Sequence, residues 1–374
     1  MARKKRTFLL GAGFSKAIAD GPTMKELWSY IENAFEYERK NRCKISDQDN
    51  PRIKWFEDLD NFIKKLEKQS TTRFEHFKDY QMKVDIRENL EYLITFIDLH
   101  LSGPKVHFEK EGSYIDPYPA IPAFICKKEL EGARNVLQTY LYLALVNLKA
   151  KTSGNQFANI ISKNDSLITF NYDLILEQLL WNSGIWSPLE GYVGVSEFEK
   201  IEDKNKLAQA ERFSQLKIHK MHGSINWQPP SLLEGLLKLN KEIVVGMDNL
   251  ERNKFYFDGI DIILERPPEN VEYGGRHEPG WVLPSFIKPF EWMQFFEIWK
   301  SAIRVLSESE ELIIVGYSFR PEDSNAFLLL SMLPITSKII LVDTKYKEIE
   351  ERLGSKGIEI HKTFESLEKY LDNH

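Results

Sequence analysis

The sequence predicts an α/β chain, a doubly wound parallel sheet with a large helical insertion, and three observations lead there. The C-terminal third alternates wholly apolar strands with amphipathic helices. The chain opens on a short apolar run that breaks into a glycine turn and then a helix-like segment. Between that opening and the next strand lies a long stretch that carries only helical periodicity. Strands that are apolar along their whole length are buried on both faces, which calls for helices on both sides and hence for parallel pairing.

The first strand is Thr7-Phe8-Leu9-Leu10, and it runs into Gly11-Ala12-Gly13-Phe14-Ser15. A glycine loop at that place lets the backbone approach a pyrophosphate, and the N–H groups that open the following helix face the anion. From Met24 to Ala150 the pattern is helical, with periodic segments at Glu26 to Lys40, Asn61 to Lys68, Val84 to Leu101 and Leu130 to Lys149. Ser102-Gly103-Pro104 and Pro117-Tyr118-Pro119 punctuate it as loops. Strands resume at Ser166 to Asp173, followed by a helix from Leu174 to about Trp181, and at Leu216 to Gly223.

Residues 225–284 read as an irregular, hairpin-bearing insertion, with strand-like runs at Glu242 to Met247 and Lys254 to Leu264. A helix from Phe290 to Leu306 then leads to the strand Glu311 to Gly316. A helix around Asp323 to Leu330, the strand Lys338 to Asp343, a helix around Lys345 to Leu353, the strand Ile358 to Lys362 and a last helix complete the chain. The expected organisation is one Rossmann-like domain formed by residues 1–23 and 151–374, with residues 24–150 as a helical insertion or lobe.

At 374 residues, with 42% hydrophobic and 28% charged residues, the chain has a globular composition and length enough for a large core. No apolar run approaches the roughly 20 residues of a membrane span, which argues against a membrane protein. A net charge of -6 argues against a surface coated with nucleic-acid contacts. The Arg3-Lys4-Lys5-Arg6 cluster has no aromatic interleaving and reads as a solvated leader. Cys43 and Cys126 are the only cysteines, so a four-cysteine zinc module and a disulfide framework are both excluded, and a reducing cytoplasm is the expected compartment. The glycine loop stands where a secretory peptide would carry its apolar core, so no signal peptide is expected.

Polar and glycine residues collect at the predicted carboxyl ends of the parallel strands: Gly11 to Ser15, Asn171 and Asp173, His222, Gly316 and Ser318, and Asp343. In an open α/β sheet that edge is where ligands bind. Each also has a plainer reading, with Asn171 and Asp343 as helix caps and His222 as a turn residue.

In order along the chain, Gly11-Ala12-Gly13-Phe14-Ser15, Thr169-Phe170-Asn171-Tyr172-Asp173, His222-Gly223, Gly316-Tyr317-Ser318 and Val342-Asp343 resemble the motifs of sirtuin-like proteins. The resemblance implies NAD as substrate, with Asn171 and His222 catalytic beside the nicotinamide ribose. It implies dinucleotide binding by Gly11, Ala12, Gly13, Phe14, Ser15, Thr23, Asp173, Gly316, Ser318 and Asp343, and no metal. The chain lacks the paired zinc cysteines and the Gly-Ile-Pro-Asp-Phe-Arg segment of the protein deacylases. Its own Asp20-Gly21-Pro22-Thr23-Met24 looks more like the sirtuin-like NAD-cleaving effectors of bacterial antiphage defence. Asn89-Leu90-Glu91 also fits that branch, although Asn89 is read first as a structural helix residue.

The resemblance therefore implies an NAD hydrolase that depletes cellular NAD. A deacylase and a non-catalytic nucleotide-binding assembly subunit are the alternatives. Nothing follows the last helix near Leu371, so sensing is expected from a separate partner, such as a HerA-type ATPase or a short Argonaute module, acting on a homo-oligomer. The aromatic helix bearing Trp292, Phe295, Phe296 and Trp299 is an assembly surface on one reading and core on the other.

Overall fold

The structure is a computed structural model that describes residues 4–42, 56–64, 90–101, 127–146, 148–151, 154–186, 191–195, 216–228, 238–239, 283, 293–320 and 324–374. In chain order the elements are β1 (Arg6–Leu10), α1 (Ala12–Ala19), α2 (Leu27–Arg42), α3 (56–64), α4 (Leu90–Leu101), α5 (Lys127–Val146), α6 (Asn155–Ile160), β2 (Ser166–Thr169) and α7 (Ile175–Asn182). They continue as β3 (Lys217–Lys220), β4 (Trp227–Gln228), β5 (Lys238–Leu239), α8 (Met293–Ser307), β6 (Glu311–Val315), α9 (Ser324–Leu330), β7 (Lys338–Val342), α10 (Tyr346–Gly354), β8 (Lys362–Phe364) and α11 (Leu367–Leu371). The strand-like runs expected at 242–247 and 254–264, the loops at 102–104 and 117–119, and Asn89 lie outside the described residues.

Two compact units result. One comprises Met1–Thr23, Leu145–Val282 and Phe290–His374; the other comprises Met24–Ala144 and Leu283–Pro289. The second unit is helical among its described residues. Its buried positions follow helical spacing, with Leu27, Trp28, Ile31 and Phe35 on α2 and Leu130, Ala133, Val136, Leu137, Tyr140 and Leu141 on α5. Phe35 stacks on Phe56 at 3.7 Å, Tyr140 meets both rings edge-on, and Arg134 Nε donates to Asp98 Oδ1 at 2.9 Å to join α5 to α4.

The first unit carries a six-stranded sheet in the order β3-β2-β1-β6-β7-β8, every pairing parallel, which makes it a Rossmann-like α/β fold. Leu9, Leu10, Leu167, Ile168, Ile218, Leu312, Ile313, Ile314 and Leu341 are fully buried. Each such side chain contributes about 1.5–3 kcal/mol relative to exposure. The register aligns Lys220 with Thr169, Thr169 with Leu10, Leu10 with Val315 and Val315 with Val342. Residues that follow these strands therefore emerge along one edge of the sheet. β1 lies where the strand order reverses, with β2 on one side and β6 on the other. In such sheets the crevice at that reversal is the ligand-binding position.

The edge strand differs from expectation. Ile358 and Ile360 alternate as a strand would, yet pairing begins only at Lys362, opposite Ile340. Ile358 is used in leaving the helix, its N–H bonding back to Leu353 O at 3.1 Å, and the chain reaches β7 only at His361, whose N–H donates to Ile339 O at 2.9 Å. Of the basic cluster at the start of the chain, Arg6 departs from the expected solvated leader, Lys4 and Lys5 are exposed, and Arg3 lies outside the described residues. Arg6 opens β1 with its guanidinium on Asp165 at 2.6 and 3.1 Å and on Ile160 O at 2.7 Å, Lys5 pairs with Glu308 at 3.1 Å, and Lys4 lies 4.0 Å from Glu311. On α8, Phe295 and Trp299 belong to the core whereas Phe296 is 52% exposed; Trp292 lies outside the described residues.

His219, on β3, joins the sheet to α8. Its Nδ1–H donates to the Leu167 carbonyl at 3.1 Å, and its Nε2 accepts from the Ser301 hydroxyl at 3.0 Å. Burial lowers its pKa from 6.5 to about 4, so the ring is neutral at pH 7. The contribution of the neutral ring is complete above pH 6.5 and is lost as pH falls through about 4. In urea titrations, the native chain should lose on the order of 3 kcal/mol more between pH 7 and pH 4 than a His219→Gln variant. Equal losses in the two chains would mean that His219 is not held neutral.

Candidate functional site

Two loops meet at the sheet's reversal point, backbone against backbone. Gly11 N–H donates to Val315 O at 3.0 Å, Gly13 N–H to Gly316 O at 2.8 Å, and Gly316 N–H to Val342 O at 3.0 Å. Gly316 stands at φ +63°, a left-handed conformation suited to glycine. A Cβ on Gly11 would lie 2.5 Å from Gly316 O, one on Gly13 would lie 2.6 Å from Gly316 Cα, and one on Gly316 would lie 2.3 Å from Phe14 N. The need for glycine here thus differs from the sequence-level reason. It lets two strand-end loops interlock before any phosphate is considered. Of the N–H groups opening α1, those of Gly13 and Phe14 are already bonded, the latter to Gly11 O at 2.9 Å. Ala12 N–H has no acceptor among the described residues.

Asn171 holds the first loop from the neighbouring strand. Its Nδ2 donates to Gly11 O at 2.8 Å and to Ser15 Oγ at 2.9 Å, while its own N–H rests on Thr169 Oγ1 at 3.1 Å. With both amide hydrogens committed, Oδ1 is the atom left to accept from a ligand. The Ser15 hydroxyl in turn donates to Asp173 Oδ2 at 2.8 Å. Asp173 Oδ1 accepts from Ile175 N–H at 3.0 Å in the turn that leads into α7, whose N-cap position is Leu174, so Asn171 does not cap this helix. Ser15 and Asp173 are buried, and Asn171 is half-buried. Phe14 turns its ring into the core against Phe157 at 4.8 Å, anchoring the loop from beneath. Beyond α1, Asp20 takes a left-handed conformation and Gly21 N–H returns to Ser15 O at 3.1 Å, leading into the half-buried Thr23.

His222 follows β3, buried beside two aromatic rings: Phe170 edge-on at 5.1 Å and Tyr172 stacked at 6.0 Å. Phe170 also stacks on Tyr317 at 4.5 Å, so an apolar wall runs from the second glycine loop to His222. Trp299 Nε1 donates to Met221 O at 3.2 Å and ties α8 to the turn that carries His222. On the other side, Ser318 is exposed and Phe319 is buried at φ 46°. A left-handed conformation costs a non-glycine residue about 1–3 kcal/mol. The turn is held by Arg352, whose Nη1 donates to Ser318 O and to Phe319 O. Asp343 follows β7, its Oδ1 accepting from Lys345 N–H at 2.7 Å in the turn before α10, and burial raises its pKa above its ordinary value. Gly11, Gly13, Ser15, Asn171, Asp173 and Gly316 are thus one bonded cluster. His222 is placed on the adjoining strand end, and Ser318 and Asp343 lie on the far side of the reversal point.

One group escaped the sequence reading. Lys220 and Glu177 are both fully buried, with Lys220 Nζ on Glu177 Oε1 at 2.7 Å and on the Asp173 carbonyl at 2.5 Å. Tyr192 hydroxyl donates to Glu177 Oε1 at 3.1 Å and accepts from Asn226 Nδ2 at 3.1 Å. Burial pushes the Glu177 carboxyl up in pKa, against the pull of Lys220. The available signal was a lysine inside a strand read as buried. Among the described residues no group of His, Cys, Asp and Glu could hold a metal ion, and no helix is long and apolar enough to cross a membrane.

The interlocked loops make a stability prediction. Gly13→Ala should cost about 3 kcal/mol, because its Cβ meets rigid backbone, and Gly316→Ala should cost at least as much. Gly354→Ala, where a Cβ meets nothing within 4 Å, should stay within about 1 kcal/mol of native. Thermal melting decides it, and a Gly13→Ala chain that melts with the native protein would show that the loops do not touch.

Among curated proteins no match is found for this chain. Residues 165–329, which carry Asn171, Asp173, His222, Gly316 and Ser318, match the family model of the SIR2-like domain, so this part of the chain is similar to that domain.

Proposed function

We infer that the chain is an NAD glycohydrolase, releasing nicotinamide and ADP-ribose. The observation that carries this reading is Asn171, which follows β2 and whose amide hydrogens are committed to Gly11 O and Ser15 Oγ, leaving Oδ1 as the atom that can accept from a ligand. Its carbonyl oxygen is suited to accept from a ribose hydroxyl or from the attacking water. The pyrophosphate would lie over the first loop, where Ala12 N–H and the positive end of α1 complement its charge. Ser318 and Asp343 would serve the adenosine half.

In the reaction, the bond from ribose C1′ to the nicotinamide nitrogen breaks, and its electron pair neutralises the pyridinium ring. The oxocarbenium-like ribose that remains is captured by water. His222, a residue type that titrates near neutrality, would take the proton released by the water or by the ribose hydroxyl. The aromatic wall of Phe170, Tyr172 and Tyr317 would keep bulk water away from the cation as it forms.

Asn171→Ala and His222→Ala should each lower nicotinamide release by at least roughly a hundredfold, the scale of losing a general base or an aligned polar group. Circular dichroism should show both variants folded. A folded variant with near-native release would remove that residue from the assignment. Product analysis separates the neighbouring reading: free ADP-ribose without an acyl acceptor means hydrolysis, whereas acyl-ADP-ribose formed on an acylated peptide means deacylation.

The biological setting that suits such a hydrolase is antiphage defence, in which a cytoplasmic effector depletes NAD once infection is sensed. An unrestrained hydrolase would exhaust its own cell, so restraint has to come from assembly. The proposed form is a homo-oligomer that stays weakly active until a separate sensor, such as a HerA-type ATPase, joins it. Mass in solution and NAD turnover should be measured with and without the product of the neighbouring gene. A fully active monomer indifferent to that product would contradict this part of the proposal.

A further inference from the structure

The buried Lys220–Glu177 pair is placed where it bears on the site without touching it. Lys220 ends β3, and His222 follows two positions later; Asp173, whose carbonyl accepts from Lys220 Nζ, stands two positions after Asn171. Neither charged side chain is exposed to solvent. Such a pair brings little net stability, since two desolvated charges are often replaced by apolar residues at no cost. It does supply directed geometry. An ammonium offers three donors, and here two of them reach a main-chain carbonyl of one strand end and a carboxylate on the next helix. The Asp173 carbonyl belongs to the turn whose side chains grip Ser15 and, through Asn171, Gly11. Glu177 is steadied by Tyr192, which Asn226 holds in turn, so the ammonium is aimed by a network and not by one contact.

We propose that Lys220 and Glu177 are positioning residues that set the spacing between the Asn171 turn and the His222 turn. The proposal rests on the NAD-cleaving reading for its kinetic consequence and on the hydrogen-bond network alone for its structural one. The Lys220 ammonium bonds to Asp173 O and Glu177 Oε1 and to neither glycine loop, so losing it should disturb the alignment of the reacting groups more than the hold on the pyrophosphate.

The test uses the full chain carrying Lys220→Met with Glu177→Leu, which removes both charges together and leaves no unpaired buried ion. A second variant, Lys220→Met with Glu177→Gln, keeps an acceptor for the Tyr192 hydroxyl. Nicotinamide release should fall 10- to 100-fold in kcat with KM within about threefold of native, the signature of lost alignment in the transition state. Amide hydrogen exchange should rise at least tenfold over residues 171–175 and 220–223 while the first glycine loop, residues 11–13, and β7 stay protected. A folded double variant with native kcat and native exchange overturns the proposal, as does a loss confined to KM. Failure of both variants to fold overturns it too, because the pair is then a stability element. If the native chain releases no nicotinamide, the NAD-cleaving reading fails instead, and the exchange measurement alone decides the positioning role.

Discussion

The close approach of two glycine loops at the point where the strand order reverses is the constraint on which the rest of the site depends. Gly13 and Gly316 come so near that neither tolerates a side chain, and their hydrogen bonds extend the parallel pairing of β1 with β6 past the strand ends. That contact positions the start of α1, and the start of α1 positions Ser15. From Ser15 the network passes to Asn171 and Asp173 on the neighbouring strand end, and through the Asp173 carbonyl to Lys220 on the next. Three strand ends are therefore tied into one polar frame above an apolar sheet. Each link between strand ends uses at least one side chain, the short ones of Ser15, Asn171 and Asp173 and the fully buried Lys220, so little rotamer freedom remains in the frame.

Polarity around the frame is divided sharply. On one side the aromatic rings of Phe170, Tyr172, Tyr317 and Trp299 gather near His222. On the other, Asp343 is held above its ordinary pKa by burial, at the mouth of β7. A cationic sugar forming near the aromatic wall would meet π faces and an amide oxygen instead of water. At the opposite end of the sheet the basic start of the chain is spent on acidic partners, with Arg6 on Asp165 and Lys5 on Glu308. Of these, the Arg6–Asp165 pair is buried and joins the start of β1 to the residue ahead of β2, whereas Lys4 and Lys5 stay exposed.

Much of this was legible in the sequence, for identifiable reasons. Apolar runs such as Leu312 to Val315 and Ile339 to Val342 have no exposed face, so a covered parallel sheet follows from residue type alone. Asn171 and His222 were visible as polar residues placed just past such runs. What sequence could not convey were relations between residues far apart in the chain. The interlock of Gly13 with Gly316 is one of these, and it changes the reason why glycine is needed. The burial of Lys220 against Glu177 is another, since charge in a short strand gives no hint of its partner on a helix. Asn171 does not cap α7 because its amide is drawn toward the glycine loop, and it is the Asp173 carboxylate that meets Ile175 N–H ahead of the helix. The edge strand moved from Ile358 to Lys362 because helix exit consumes residues that periodicity cannot distinguish from pairing.

The central claim, that the crevice between β1 and β6 holds a dinucleotide with its nicotinamide ribose toward Asn171, is tested most directly by a crystal structure of the His222→Ala chain grown with NAD. The account predicts the pyrophosphate over Ala12 at the start of α1, and a ribose hydroxyl or water within hydrogen-bond distance of Asn171 Oδ1. NAD bound elsewhere on the chain, or no NAD bound at saturating concentration, would contradict it.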